Sequence, residues 1–310
     1  MNRRHFTTSL ARGALAATVP LSLSAAETEE IIDIHQHANY LGRRNDELLA
    51  HQETMGVTRT ILLPAGTELT SPSTHEGKSN GLAGRVFGTE ASARLTAEHP
   101  TRFAFFCNEV PDAAGAVAVL EKWLDRGAIG IGESKFAVDC DSAPMRQIYD
   151  VARAYRVPVL LHFQHETYNF GFDRFHKILE QYPEVNFIGH AQTWWGNIDA
   201  AHDQKVLYPE GPVTPGGITD KYLSDYPNMF GDLSAGSGLR ALSRDEDHAR
   251  AFLARHQDKL LLGTDCPDVE GHGDTCSGAK QIAQVRRLAP DPTALAKIFS
   301  GNAKRIMKLG

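Results

Sequence analysis

Eight short runs rich in apolar and β-branched residues, each followed by sequence of helical period, constrain this chain more than any other feature. The runs are Ile31 to His37, Thr58 to Ala65, Arg102 to Val110, Ala128 to Phe136, Pro158 to Gln164, Asn186 to Gln192, Asn228 to Ala235 and Lys259 to Pro267. Helical patterns follow at Asn45 to Met55, Gly88 to Glu98, Asp112 to Arg126, Ser142 to Tyr155, Phe172 to Tyr182, Thr219 to Asp225 and Ser243 to His256, with a last stretch over Ala279 to Leu288 and Thr293 to Met307. Parallel neighbours need a long crossover, usually a helix, so this alternation predicts parallel βα units. Eight such units close more naturally into a (β/α)₈ TIM barrel than into a doubly wound open sheet, the structural alternative. The expectation is therefore an α/β chain with one barrel domain over residues 27–310. The Gly- and Pro-rich segment Thr193 to Gly217 is expected to be an insertion at the barrel mouth.

The first 26 residues read differently. Arg3 and Arg4 precede Phe6, an Ala- and Leu-rich stretch runs from Ser9 to Leu23, and Ser24, Ala25 and Ala26 supply small residues for cleavage. This predicts a twin-arginine-type signal peptide and a periplasmic or secreted mature protein. The apolar stretch contains Arg12 and falls short of the roughly 20 residues of a permanent span, so membrane anchoring is not expected. Removing Arg3, Arg4 and Arg12 leaves 29 basic against 38 acidic residues, a formal charge of −9. Nucleic acid and anionic membranes are poor partners for such a surface. A small-molecule substrate is expected, and a homo-oligomer stays open. Of Cys107, Cys140, Cys266 and Cys276, only the last two are near in sequence, and an oxidising compartment would favour a bridge between them. Cys107 lies in an apolar strand pattern and reads as a small buried hydrophobe.

The chemistry concentrates at strand ends. In Asp33-Ile34-His35-Gln36-His37 the period of 2 puts Asp33, His35 and His37 on one strand face, expected to be the barrel interior, with Ile32 and Ile34 packed under the helices. Two imidazoles on one face can converge on a cation. His162 closes the run Pro158-Val159-Leu160-Leu161, His190 closes Phe187-Ile188-Gly189, and Asp265 closes Leu260-Leu261-Leu262-Gly263-Thr264. Each alone reads as a hydrogen-bonded core residue or a cap. Together, on one rim of a barrel, they read as partners sharing an ion.

With these features the chain resembles the amidohydrolase superfamily, and more closely its amidohydrolase-related, metal-dependent barrels. The resemblance rests on Asp33 to His37, the phrase Glu98-His99-Pro100-Thr101-Arg102-Phe103, the strand-end His162 and His190, Gly263-Thr264-Asp265, and Ser300-Gly301-Asn302-Ala303. It implies that His35, His37, His162 and Asp265 are metal ligands, the aspartate also a general base. It implies that His190 either binds a second metal or acts as proton donor and electrostatic stabiliser. In binuclear members a fourth-strand carboxylate bridges the ions, and Ile131-Gly132-Glu133-Ser134-Lys135 offers Glu133, which needs no modification, or a carboxylated Lys135. A salt bridge from Glu133 beside a single metal is the simpler alternative. The cofactor expected is a divalent metal, zinc by its taste for histidine, as one ion or two.

The activity implied is hydrolysis of a small-molecule ester, lactone, amide or phosphoester by metal-activated water. Two rivals stand beside it. A metal-dependent decarboxylase of unsaturated or aromatic acids would need a cationic pocket, and no arginine stands at an obvious strand end. A metal-loaded binding protein would have no need of a strand-eight aspartate. Around the mouth, Trp194 and Trp195 could wall a substrate or form a loop's own core. His165, Glu166 and Tyr168 follow the fifth strand, and Asn108 and Glu109 hold the matching place on the third. His99, His176, His248 and His256 fall on or beside predicted helices and read as solvated surface, whereas His272 follows Asp265 more closely.

Overall fold

In a computed structural model, residues 29–64 and 86–309 are described. The signal-peptide reading therefore lies outside the described residues, as does Ala65. Eight strands appear where the apolar runs predict them: β1 Ile32–Gln36, β2 Arg59–Leu62, β3 Phe103–Phe105, β4 Ile131–Ser134, β5 Val159–His162, β6 Phe187–His190, β7 Met229–Asp232 and β8 Leu260–Leu261. The helices are α1 Asn45–Thr54, α2 Thr89–Glu98, α3 Ala116–Asp125, α4 Ala143–Tyr155, α5 His176–Gln181 and α6 Ala191–Gly196. They continue as α7 Ile218–Asp225, α8 Ala235–Ser243, α9 Glu246–His256, α10 Ser277–Leu288, α11 Pro292–Ala296 and α12 Asn302–Met307. Sequence periodicity misses α6 and α8. Both begin at the strand ends of β6 and β7, so their first residues read as strand. No described helix is long and apolar enough to cross a membrane.

All strand pairs are parallel, in two sheets ordered β1-β2-β3 and β4-β5-β6-β7-β8. Backbone hydrogen bonds join the sheets at both seams. Cys107 N donates to Gly130 O and Gly132 N to Cys107 O, each at 2.9 Å, while Ile34 N donates to Leu262 O at 3.0 Å and Asp265 N to His35 O at 2.8 Å. Two apolar cores result. The larger contains the strand residues Leu62, Phe105, Leu161, Phe187 and Leu260 and packs them under the helices. The smaller takes Ile32, Ile34, Ile61, Ala104, Leu160, Ile188, Phe230 and Leu261 from seven of the strands, with Ile306 and Met307 of α12. Residues from around the ring can touch one another only inside it, with α12 against them as a plug. Asn302 of the closing Ser-Gly-Asn-Ala phrase donates through Nδ2 to Gln257 O and Leu260 O at 2.7 and 2.8 Å, which pins that plug to β8.

This assignment corrects the strand-face expectation. Ile32 and Ile34 face the interior, and Asp33 does not share the direction of the two histidines. The pairing of β1 with β2 slips between Asp33 and Gln36, where three steps on β1 oppose two on β2. A bulge of this kind re-aims the side chains that follow it, so His35 and His37 turn inward beyond Ile34. The pairing of β4 with β5 slips in the same manner between Ile131 and Ser134, around Glu133.

Candidate metal centre

His35, His37 and His190 are each oriented through Nδ1, leaving Nε2 for a ligand. His35 Nδ1 lies 2.6 Å from Asp232 Oδ2, and His37 Nδ1 lies 2.7 Å from Leu63 O. An acceptor at Nδ1 keeps the proton there and turns the Nε2 lone pair inward. Asp33 serves the frame: its Oδ1 accepts from His35 N and Thr264 N at 3.0 and 2.9 Å, and its Oδ2 accepts from Thr264 Oγ1 at 2.5 Å. It thereby clamps β1 to the segment that carries Asp265.

The inward atoms meet at one point. Glu133 Oε2 lies 3.7 Å from His35 Nε2 and 3.8 Å from His37 Nε2, and Asp265 Oδ1 lies 3.9 and 3.3 Å from the same two nitrogens. His35 Nε2, Glu133 Oε2 and Asp265 Oδ1 are buried and have no hydrogen-bond partner. Leaving three such atoms unsatisfied would cost several kcal/mol at about 1–3 each. A divalent ion with bonds of about 2.0–2.2 Å would hold its ligand atoms about 3–4 Å apart, so the donor set, its spacing and its orphaned atoms all fit a metal.

A second constellation shares Glu133. Its Oε1 lies 2.6 Å from His162 Nδ1 and 3.7 Å from His190 Nε2. The two carboxylate oxygens thus face two different ligand groups, His35, His37 and Asp265 on one side and His162 and His190 on the other. Lys135 Nζ lies 5.4 Å from the centre of the Tyr168 ring and its charge acts on both Glu133 and His162, while Glu133 is the one of the two whose oxygens stand between the two groups. His190 Nδ1 is held by Ser234 Oγ at 2.9 Å and by Asp232 Oδ2 at 3.2 Å.

Electrostatics favours a cation here. Burial disfavours an imidazolium at His35, but Asp265 and Asp232 outweigh it and raise its pKa well above the ordinary value. At His162 burial prevails over the raising influence of Glu133 and takes the pKa down to about 4, which keeps that ring neutral. Burial also works against an ionised Glu133, yet the hydrogen bond from His162 and the nearby ring of His35 hold it well below the usual carboxylate range. Asp265 is the member nearest solvent, its side chain 15% exposed.

Asp232 and Ser234 are the functional residues that strand-end reasoning passed over. Asp232 closes Met229-Phe230-Gly231, the same signal that picked out His162 and His190, and it aligns two histidines at once. Trp194 and Trp195 are core residues and do not wall a mouth: both are buried, and Trp195 Nε1 donates to Asp232 O at 2.9 Å. Asn108 Nδ2 donates to Glu133 O at 2.6 Å, while Glu109 Oε1 accepts from Val110 N. His256 departs from the surface reading, being buried with Nε2 2.6 Å from Asp220 Oδ1. His99, His176 and His248 are half-buried, and His272 is 68% exposed beside Glu270. Cys266 and Cys276 are free thiols 3.8 Å apart, against the bridge the sequence suggests.

Beside the centre lies a cavity of about 430 Å³ lined by Gln164, His165, Glu166, Asn169, Arg174 and Thr193 among others. Gln164 links it to the centre, its Oε1 3.2 Å from His162 Nε2. The guanidinium of Arg174 is committed to Asp139 and Asp141.

Residues 221–309 match the family model described as Amidohydrolase. Among solved structures the fold is similar to an uncharacterised TIM-barrel protein from Bordetella bronchiseptica, at 15% identity and TM-score 0.61 over 90% of this chain and 98% of that one. It is similar to a probable 2-pyrone-4,6-dicarboxylic acid hydrolase from Acinetobacter baumannii with citric acid bound, at 12% identity and TM-score 0.54 over 90% and 99%. It is also similar to a dihydroxybenzoic acid decarboxylase from Polaromonas with bound manganese, at 18% identity and TM-score 0.52 over 87% and 88%. No curated protein matches this chain. The fold is thus that of the TIM barrels, and the resemblance read from the sequence holds in the family match of the C-terminal segment.

Proposed function

We propose that this chain is a metal-dependent hydrolase of a small uncharged or weakly charged ester, lactone, amide or phosphoester, with Glu133 shared between two ion positions. The carrying observation is the set of facing buried orphans, His35 Nε2, Glu133 Oε2 and Asp265 Oδ1, backed on the other oxygen of Glu133 by His162 and His190. A divalent ion bound there would supply Lewis acidity, lowering the pKa of water to about 7 and polarising a carbonyl or phosphoryl oxygen.

The residues of the chain do the rest. Asp265 has one oxygen towards His37 and the other 4.0 Å from His190 Nε2, so a proton it accepts from water can be passed towards a leaving group at the solvent side. His190, fixed by Ser234 and Asp232, is placed to stabilise developing negative charge. The adjoining cavity supports hydrolysis over decarboxylation. Among the described residues that line it the one arginine is already paired, and Glu166 and Asp173 also line it, which disfavours a substrate carboxylate. Export through the twin-arginine pathway accords with this scavenging role and rests on the first 26 residues alone.

The test is metal content per chain together with turnover. Two ions in the parent falling to about one in Glu133→Ala, with ester or lactone hydrolysis lost, supports the proposal. One ion unchanged by Glu133→Ala, with carbon dioxide released from an aromatic acid, would replace it with the decarboxylase. Stoichiometric metal with no turnover of either kind would leave a binding protein.

A further inference from the structure

Behind the strand end that carries Asp265 lies a second cluster with a different donor chemistry. Cys266 follows Asp265 directly, Cys276 caps the N-terminus of α10, and His51 and Met55 lie one turn apart at the end of α1. All four are buried. Cys276 Sγ lies 3.8 Å from Cys266 Sγ, 3.8 Å from Met55 Sδ and 3.6 Å from His51 Nε2. We propose that Cys266, Cys276 and Met55 form a buried site for a thiophilic metal ion, Cu(I), with His51 donating a hydrogen bond to Cys276.

Cys276 Sγ stands 3.8 Å from each of the other two sulfurs, and two atoms at that spacing can share a point about 2.3 Å from each, the length of a metal–sulfur bond. The donor set is sulfur-rich and lacks oxygen, which selects soft ions over those suited to the carboxylate centre nearby. His51 Nδ1 faces Gln52 Nε2 at 3.3 Å and Arg43 Nη1 at 3.5 Å, both donors, so the ring proton sits on Nε2 and points at sulfur. Three sulfurs remain as ligands, a number that suits Cu(I) better than a four-coordinate structural zinc.

Charge supplies an independent argument. Arg43 is buried, yet its hydrogen bonds go to neutral oxygens: Cys266 O, Asp268 O and Gln36 Oε1. No carboxylate lies within ion-pair distance of it among the described residues, and its Nε has no partner. A buried cation calls for an anion. Two thiolates holding one Cu(I) carry a net charge of −1, which balances Arg43. Gly278 keeps the space open, since a Cβ there would stand 2.8 Å from Met55 Sδ and 3.2 Å from Cys266 Cβ.

The test uses the full-length, reduced chain without oxygen, titrated with Cu(I) against the chelator bicinchoninate, with X-ray absorption reporting the ligands. One Cu(I) bound through sulfur is expected. Binding should vanish in Cys266→Ser and in Cys276→Ser and weaken in Met55→Leu and Gly278→Ala, but persist in Cys140→Ser. Near-UV circular dichroism checks that each variant folds. Copper bound only through nitrogen and oxygen, copper retained after both cysteines are replaced, or a Cys266–Cys276 disulfide in the protein as isolated would each overturn the site. Sulfur ligation reads this cluster independently of the histidine and carboxylate centre, so the two proposals stand or fall separately.

Discussion

His35 Nδ1 and Asp232 Oδ2 lie 2.6 Å apart with both side chains fully buried, 197 residues apart in the chain. Asp232 accepts from His35 and Ser234 and reaches His190, so it sets the orientation of a histidine in each ligand group. Replacing it should disturb metal binding without touching a proposed ligand. Asp232→Asn is expected to weaken metal affinity about 10–100-fold, the usual effect of removing a partner behind a ligand. Chelator competition measures it, and unchanged affinity would show that His35 does not depend on this contact.

Gly263 permits that contact. A Cβ there would fall 2.2 Å from Asp232 Oδ1 and 3.0 Å from His35 Cβ. Gly263→Ala should therefore push Asp232 aside, lose affinity comparably to Asp232→Asn, and destabilise the fold by about 1–3 kcal/mol through overpacking. Denaturant unfolding read beside metal competition would check both effects in one sample.

Asp265 should matter to turnover more than to folding. Asp265→Asn is expected to lower kcat by about 10²–10⁴-fold, the usual contribution of a positioned general base. Metal content must be measured on the same preparation, because Oδ1 also faces His35 and His37. Full activity in a metal-replete Asp265→Asn variant would remove the residue from the mechanism.

Metal removal should cost stability, because the three orphaned atoms regain no partner without the ion. Ligand at a hundred times its Kd stabilises a fold by about 2.7 kcal/mol, which is about 5–11 °C in Tm for a domain of ordinary size. Thermal unfolding with and without chelator should show a drop of that order, and a Tm insensitive to chelator would contradict the ion fit.

Asp33 gives a pH signature. Burial lifts its pKa to about 6, against the hydrogen bonds from Thr264 and His35 that pull it down. Between the unfolded value near 3.8 and about 6 the native state holds the proton that the unfolded chain has lost, so this group's contribution falls as pH rises through that window. Comparing urea unfolding of the parent and Asp33→Asn from pH 4 to 7, both with chelator, should show that falling component only in the parent.

Much of this architecture is legible in local pattern. The apolar runs mark all eight strands, because a strand buried on both faces must be apolar along its length, and polar residues closing those runs mark one rim of a parallel ring. Asp232 was open to the same reading, which is why its omission reflects a signal passed over and not one missing from the sequence. The helices α6 and α8 were harder, since their first residues follow strands directly and local pattern does not say where extension stops.

What the sequence determined by itself was the set of eight βα units and most of the ligand candidates, because strand and helix periods act over a few residues. Tertiary structure alone decided which way those candidates point. The slips in β1 and β4 arise from pairing with neighbouring strands, and they turn His35, His37 and Glu133 towards one another where strict alternation would have grouped His35 with Asp33. Meetings such as His35 with Asp232, or Cys276 with His51 and Met55, join residues about 200 positions apart. No local pattern encodes them, for they exist only once the ring has closed.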